Sequence, residues 1–281
     1  MTELEQIRRL KSDARQAAKT LTETEARFLV DAYYISQADR QRSYNQVRAL
    51  TKSEEPHSLV QWLGGQNETL ENEIKKLLDV YTDSRLDGVW MKSLYGVGPV
   101  IAAGMLAHID VRRAKTCGAV WRFAGLDPTV VWNKGEKRPW NASLKTLCWK
   151  SGQSFMKFAG NDDCFYGHVY RNRKAEEVAR NDRGENTGRA ATILATKRFK
   201  PSTEAYKHYM TGKLPPAQID AMARRHAVKL FLSHIFMVMY FSHFGKLPPS
   251  PYAIAILGHA HFIPPPNAWM IPGLVEALGT G

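Results

Sequence analysis

The residues best suited to chemistry sit in one short turn, Gly96-Val97-Gly98, followed at once by Pro99. Two glycines two apart supply the positive φ of a tight turn and keep side chains away from an approaching ligand. A proline in the first turn of a helix sacrifices no hydrogen bond. A helix start also leaves N–H groups without intrahelical acceptors, and with the macrodipole these suit an anion, phosphate above all. The spacing predicts a helix-hairpin-helix in which Gly96, Val97 and Gly98 offer backbone contacts to phosphate. A turn that only packs two helices fits the same residues.

Cations follow in three groups. Lys134, Lys137 and Arg138 lie in a turn-rich stretch, Lys150 in the next helical pattern, and Arg171, Arg173, Lys174 and Arg189 in a long basic run. All are candidate phosphate contacts, although Glu176, Glu177, Asp182 and Glu185 dilute the run and make part of it a solvated face. Trp121, Trp132, Trp140 and Trp149 sit among Arg122, Lys134, Lys137, Arg138, Lys145 and Lys150. Such interleaving serves base stacking in single-strand binders, with Trp132 and Trp140 best placed beside the basic turn. Aromatics at these spacings equally fit a helical core.

Other chemistries find less support. Ser143 and Ser151 read as helix-cap or loop serines without a paired base. His226, His234, His243, His259 and His261 offer no four-ligand zinc set, and the three cysteines (Cys117, Cys148, Cys164) form no CxxC pair. The sequence therefore predicts no catalytic residue, no metal and no cofactor, in a reduced cytoplasmic compartment. The apolar run Leu230 to Phe241 is broken by Ser233 and His234 and reads as a core helix, so no membrane partner is expected.

These residues need helices to hold them. Thr22 and Glu25 form a capping-box pattern for a helix running to about residue 50, after a charged helical stretch over 3–20. From Ser58 onward, Leu63, Leu70, Ile74, Leu77 and Tyr81 follow alternating heptad-like spacings, as in an antiparallel pair or a dimerising coiled coil. Beyond the hairpin, helices are predicted over 114–123 (Gly125 as C-cap), 141–158 (interrupted at Lys150-Ser151-Gly152) and 217–244. Thr129 to Trp132 has strand-like content, and Gly184 and Gly188 suggest a loop that orders on binding. Pro248, Pro249, Pro251, Pro264, Pro265 and Pro266 predict extended surface segments in the tail.

The fold class expected is mainly α: an N-terminal helical hairpin or coiled coil, then a helix-hairpin-helix-containing helical domain with little or no β. The organisation reads as an oligomerising region over 1–84, a binding domain over 85–245 with an insertion at about 182–215, and a Pro-rich tail over 246–281.

Charge follows the hairpin. The 281 residues carry a formal net charge of +12. Residues 1–92 hold 14 Lys and Arg against 15 Asp and Glu, and residues 93–281 hold 25 against 12. An acidic polymer is the favoured partner: DNA, duplex or branched, ahead of RNA.

In order, LYGVGPVIAAGMLAHI, VWRFAGLDP, NKGEKR, KSG and ARRHAVKLFLSHIF resemble the C-terminal transposase domain of the DEDD-type, bridge-RNA-guided insertion-sequence transposases, over about residues 85–245. The resemblance implies an N-terminal RuvC-like half with four acidic metal ligands, a coiled-coil segment, and a serine nucleophile soon after the Gly-Leu-x-Pro element. Residues 1–92 match at most the coiled-coil segment, and Asn133 or Lys134 occupies the serine position. The expectation is a DNA-binding relative in recombination, replication or mobile-element biology that lacks the family's chemistry. An active recombinase or nuclease using another serine, and a structured-RNA binder, are the alternatives.

Overall fold

A computed structural model describes residues 12–249 and 262–279. The helical stretch expected over 3–20 is described from Ser12, and His259 and His261 lie outside the described residues. The described chain is helical throughout, with no strand.

After a short α1 (Ser12–Ala18), α2 (Glu23–Lys52) and α3 (Ser58–Asp83) form an antiparallel pair. Thr22 caps α2: its hydroxyl accepts from Glu25 N–H while the Glu25 carboxylate accepts from Thr22 N–H, as the sequence predicts. The seam between α2 and α3 differs from the expected one. Ile74 and Tyr81 are buried, but Leu63 and Leu70 face solvent, and Gln66 and Glu71 are buried instead. Glu71 accepts from Arg40 and Gln37 of α2, so the far half of this seam is held by a charged network. A buried carboxylate is stable only when so paired.

A short α4 (Leu86–Lys92) leads through the hairpin into α5 (Pro99–His108). This helix carries almost no polar face, because it is enclosed by α2, α3, α4 and the later α7. Arg27 of α2 donates to the Ala107 carbonyl at 2.8 Å, capping the end of α5. α6 (Cys117–Phe123) starts three residues later than expected, with Thr116 as its N-cap, and ends at Gly125 (φ +67°) as predicted.

Residues 129–132 form no strand. They have no partner to pair with, and the segment bends instead around Asp127, whose carboxylate accepts from Thr129. α7 (Ala142–Lys157) is unbroken at Lys150-Ser151-Gly152. Gly152 lies where a Cβ would come 3.2 Å from Val228 of the neighbouring helix, and Ser151 is fully buried, donating to Leu147 O. α8 (Phe165–Asp182) and α9 (Thr187–Thr196) replace the expected loop, with Gly184 (φ +78°) forming the turn between them. α9 and α10 (Glu204–Met210) pack Ala190 and Tyr209 on Leu214 and Ile219, a small second core within the 182–215 stretch.

α11 (Pro216–Phe244) is long and apolar enough by composition to cross a membrane. Its apolar residues Phe231, Leu232, Ile235 and Phe236 are packed inside the protein, against α4, α6, α7 and α8. The main core crosses residue 84, joining Val30, Leu78 and Tyr81 to Trp90, Met105, Phe155 and Phe231. The tail joins it too. After residue 262, a 3-10 turn (Ala268–Met270) and α12 (Leu274–Gly279) bury Ile271 and Leu274 in that core. Trp90 Nε1–H donates to Pro266 O at 2.8 Å, so the tail is anchored rather than laid over the surface.

Candidate nucleic-acid interface

The hairpin is braced from beneath. Ser154 of α7 donates to the Gly96 carbonyl at 2.6 Å, and the tail residue Asn267 donates to Ser93 Oγ at 2.9 Å. Gly96 has φ +89° and needs glycine for that reason. Gly98 does not: its φ is −91°, in the extended region, and a Cβ there would meet nothing within 4 Å. The fold leaves that space open. Val97 is not a surface contact; its side chain is buried and its N–H donates to Leu94 O at 3.0 Å. No side chain caps α5, and Gly98 opens onto a groove of about 740 Å³ lined also by Ser93, Tyr95, Phe158 and Asn267.

The charge at this groove is not strongly positive. Lys92 is held between Asp79 and Asp83, and Asp163 also lines the groove. Beside Pro99, on the other flank, lie Lys75 and Lys76, the latter paired with Glu73 at 2.5 Å.

The sequence-predicted cations separate into two kinds. Arg173 is bonded within α8 to Glu176 and to the buried Glu177, and Lys174 to the Tyr170 hydroxyl and to Asp220 of the next long helix, so the first is engaged inside α8 and the second braces α8 on its neighbour. Lys150 turns inward, its ammonium 3.7 Å from the centre of the Tyr34 ring of α2. Arg189 rests on Met222 and remains exposed, as does Arg171.

Lys134, Lys137 and Arg138 are different. They are exposed and form no ion pair among the described residues; Arg138 stands with Lys145, Arg225, Lys229 and Arg122, which form none there either. Burial holds the Lys145 ammonium below its ordinary range, helped by Arg225 and Arg138. Burial does the same for Lys229, with Arg225 again contributing. The acids at hand are Glu136 on the turn, whose carboxylate accepts from Asn133, and Asp127, which Thr129, then Arg122 and Lys229, hold below the usual carboxylate range.

Indoles thread this patch. Lys145 Nζ lies 4.1 Å from the Trp140 ring centre, Lys229 Nζ 4.5 Å from Trp121 and the Arg138 guanidinium 5.3 Å from Trp132. Trp140 is half-buried against Gly125 and supports Trp132 edge-on at 6.0 Å, so the open rings are Trp132 and Trp149. Arg225 and Lys229 are the members the sequence reading missed; their i,i+4 spacing in α11 was the available signal.

The two regions lie toward opposite ends of α7. Gly96 meets Ser154, Gly104 packs on Leu147, and the His108 ring reaches Asn141 at 3.5 Å, so α5 runs antiparallel to α7. Nine residues, about 14 Å of helix, separate Ser154 from Lys145. Among the described residues no three His, Cys, Asp or Glu side chains converge as metal ligands would. His234 is a core residue: Nε2–H donates to Ile263 O at 2.9 Å, and Nδ1 accepts from Tyr166 OH at 2.8 Å.

No family model, curated protein or solved structure matches this chain.

Proposed function

We propose that this chain is a nucleic-acid-binding protein, with DNA as its partner, related to insertion-sequence transposases and acting by binding rather than by catalysis. The observation that carries the reading is the group Arg122, Arg138, Lys145, Arg225 and Lys229, gathered without ion-pair partners among the described residues. Like charges held together raise the energy of the folded state, and a polyanion is the ligand that repays them. The hairpin adds a second, weaker grip through backbone N–H groups at the uncapped start of α5. Phosphate contacts of this kind position a strand without reading its sequence. Two subunits meet through the N-terminal helices, a reading supported by Phe28 (72% exposed) and Ile35 on α2 and Leu59, Leu63 and Leu70 on α3.

The test is affinity for labelled duplex, single-stranded and four-way-junction DNA and structured RNA over a salt series. Binding to DNA that falls steeply with salt, and weakens in Lys145→Ala/Arg225→Ala, is the expected result. Weak binding that ignores both salt and the variant overturns the reading; preference for structured RNA transfers it to that partner.

A further inference from the structure

We infer that the patch at the start of α7 takes single-stranded DNA, with bases stacked on Trp132 and Trp149 and phosphates on Arg138, Lys145 and Arg225. The inference rests on the nucleic-acid reading above and adds to it the form of the strand. A duplex presents phosphates and groove edges but hides its base faces, so a cation cluster alone would serve it. This patch is more than cations.

Trp149 is 59% exposed and Trp132 39%. The Trp132 ring is held in place. Trp132 Nε1–H donates to Glu136 O at 2.8 Å, its edge rests on Trp140, and Trp140 in turn is covered by Lys145. Trp149 stands one helical turn beyond Lys145 on the same face of α7. A stacking surface, a cation and a second stacking surface therefore follow one another along the helix start. A held ring such as Trp132 loses little entropy on binding, and each base face is apolar enough to cover an exposed indole. An acidic protein segment would satisfy the cations but leave both rings in water.

The experiment compares three ligands on the full chain: an oligo-dT strand, an abasic strand of equal length with the same phosphates but no bases, and a blunt duplex. Fluorescence anisotropy gives affinity and tryptophan quenching reports stacking. The expected result is oligo-dT bound at least tenfold more tightly than the abasic strand, with quenching. Trp149→Ala and Trp132→Ala should each weaken oligo-dT binding about 5- to 100-fold, the range for loss of one stacked base, and leave the abasic strand unchanged. Lys145→Ala/Arg225→Ala should weaken both strands. Both tryptophans are exposed, so circular dichroism of their variants should match the parent. Equal affinity for oligo-dT and the abasic strand, or tryptophan variants without effect, overturns the stacking inference and leaves the phosphate reading intact. No binding to any of the three overturns both. Polyglutamate bound as tightly as oligo-dT overturns both in favour of an acidic protein partner.

Discussion

Ser154 Oγ–H donates to the carbonyl of Gly96 at 2.6 Å, tying the last turn of α7 to the one hairpin residue whose φ is positive. The contact explains why two glycines two apart have different reasons to be there. Gly96 is required by its backbone. Gly98 is required, if at all, by what approaches it.

Gly96→Ala should therefore lower stability by about 1–2 kcal/mol, since an L side chain resists that φ and its Cβ would sit 3.2 Å from Ser154 Oγ. Gly98→Ala should leave stability unchanged or raise it by about 0.4–1 kcal/mol through the unfolded chain. Urea denaturation of the two variants measures this, and an equal loss in both would refute the distinction.

Arg173 and Lys145 should separate stability from binding. Arg173→Ala removes one of two arginines from the buried Glu177 carboxylate, at a cost of about 1.5–3 kcal/mol, with the salt dependence of DNA binding unaltered. Lys145→Ala should do the reverse, reducing the slope of log affinity against log salt by about 0.7–0.9. A steep loss of binding in Arg173→Ala with the fold retained would return that residue to the interface.

Acid should destabilise the protein through His234. Burial lowers its pKa to about 4, against 6.5 for the free side chain. Between these values the unfolded chain binds a proton that the folded one does not. Stability is therefore complete above pH 6.5 and is lost as pH falls towards 4, by about 3 kcal/mol. Chemical denaturation across this window, compared with His234→Gln, isolates the contribution; parallel pH profiles would assign the loss to other groups.

Leu274 tests whether the tail belongs to the fold. It is fully buried in the main core, so Leu274→Ala should cost about 2–5 kcal/mol. A change under about 0.5 kcal/mol, the size typical of surface sites, would mean that the tail contributes nothing there.

Much of the helical architecture was legible in the chain, because its signals are local. The Thr22–Glu25 capping box, the proline opening α5, the Gly125 C-cap and the apolar run of α11 each depend on residues within a few positions of one another. Where the reading missed, a distant neighbour decided. Gly152 reads as a break until Val228 fills the space a side chain would take. The strand-like Thr129 to Trp132 lacks a partner, and the Leu63 and Leu70 seam loses to a charged seam set by Arg40 and Glu71.

The sequence by itself determined that the chain is mainly helical and that excess positive charge lies after residue 92, because composition and periodicity are properties of the chain. Only the tertiary structure decided which of those charges remain available. Arg173 and Lys145 look alike in sequence, yet one lies against a buried carboxylate and the other beside Arg225 and Trp140. Charges act on one another through space, and Lys145 and Arg225, 80 positions apart, do so only because α7 packs on α11.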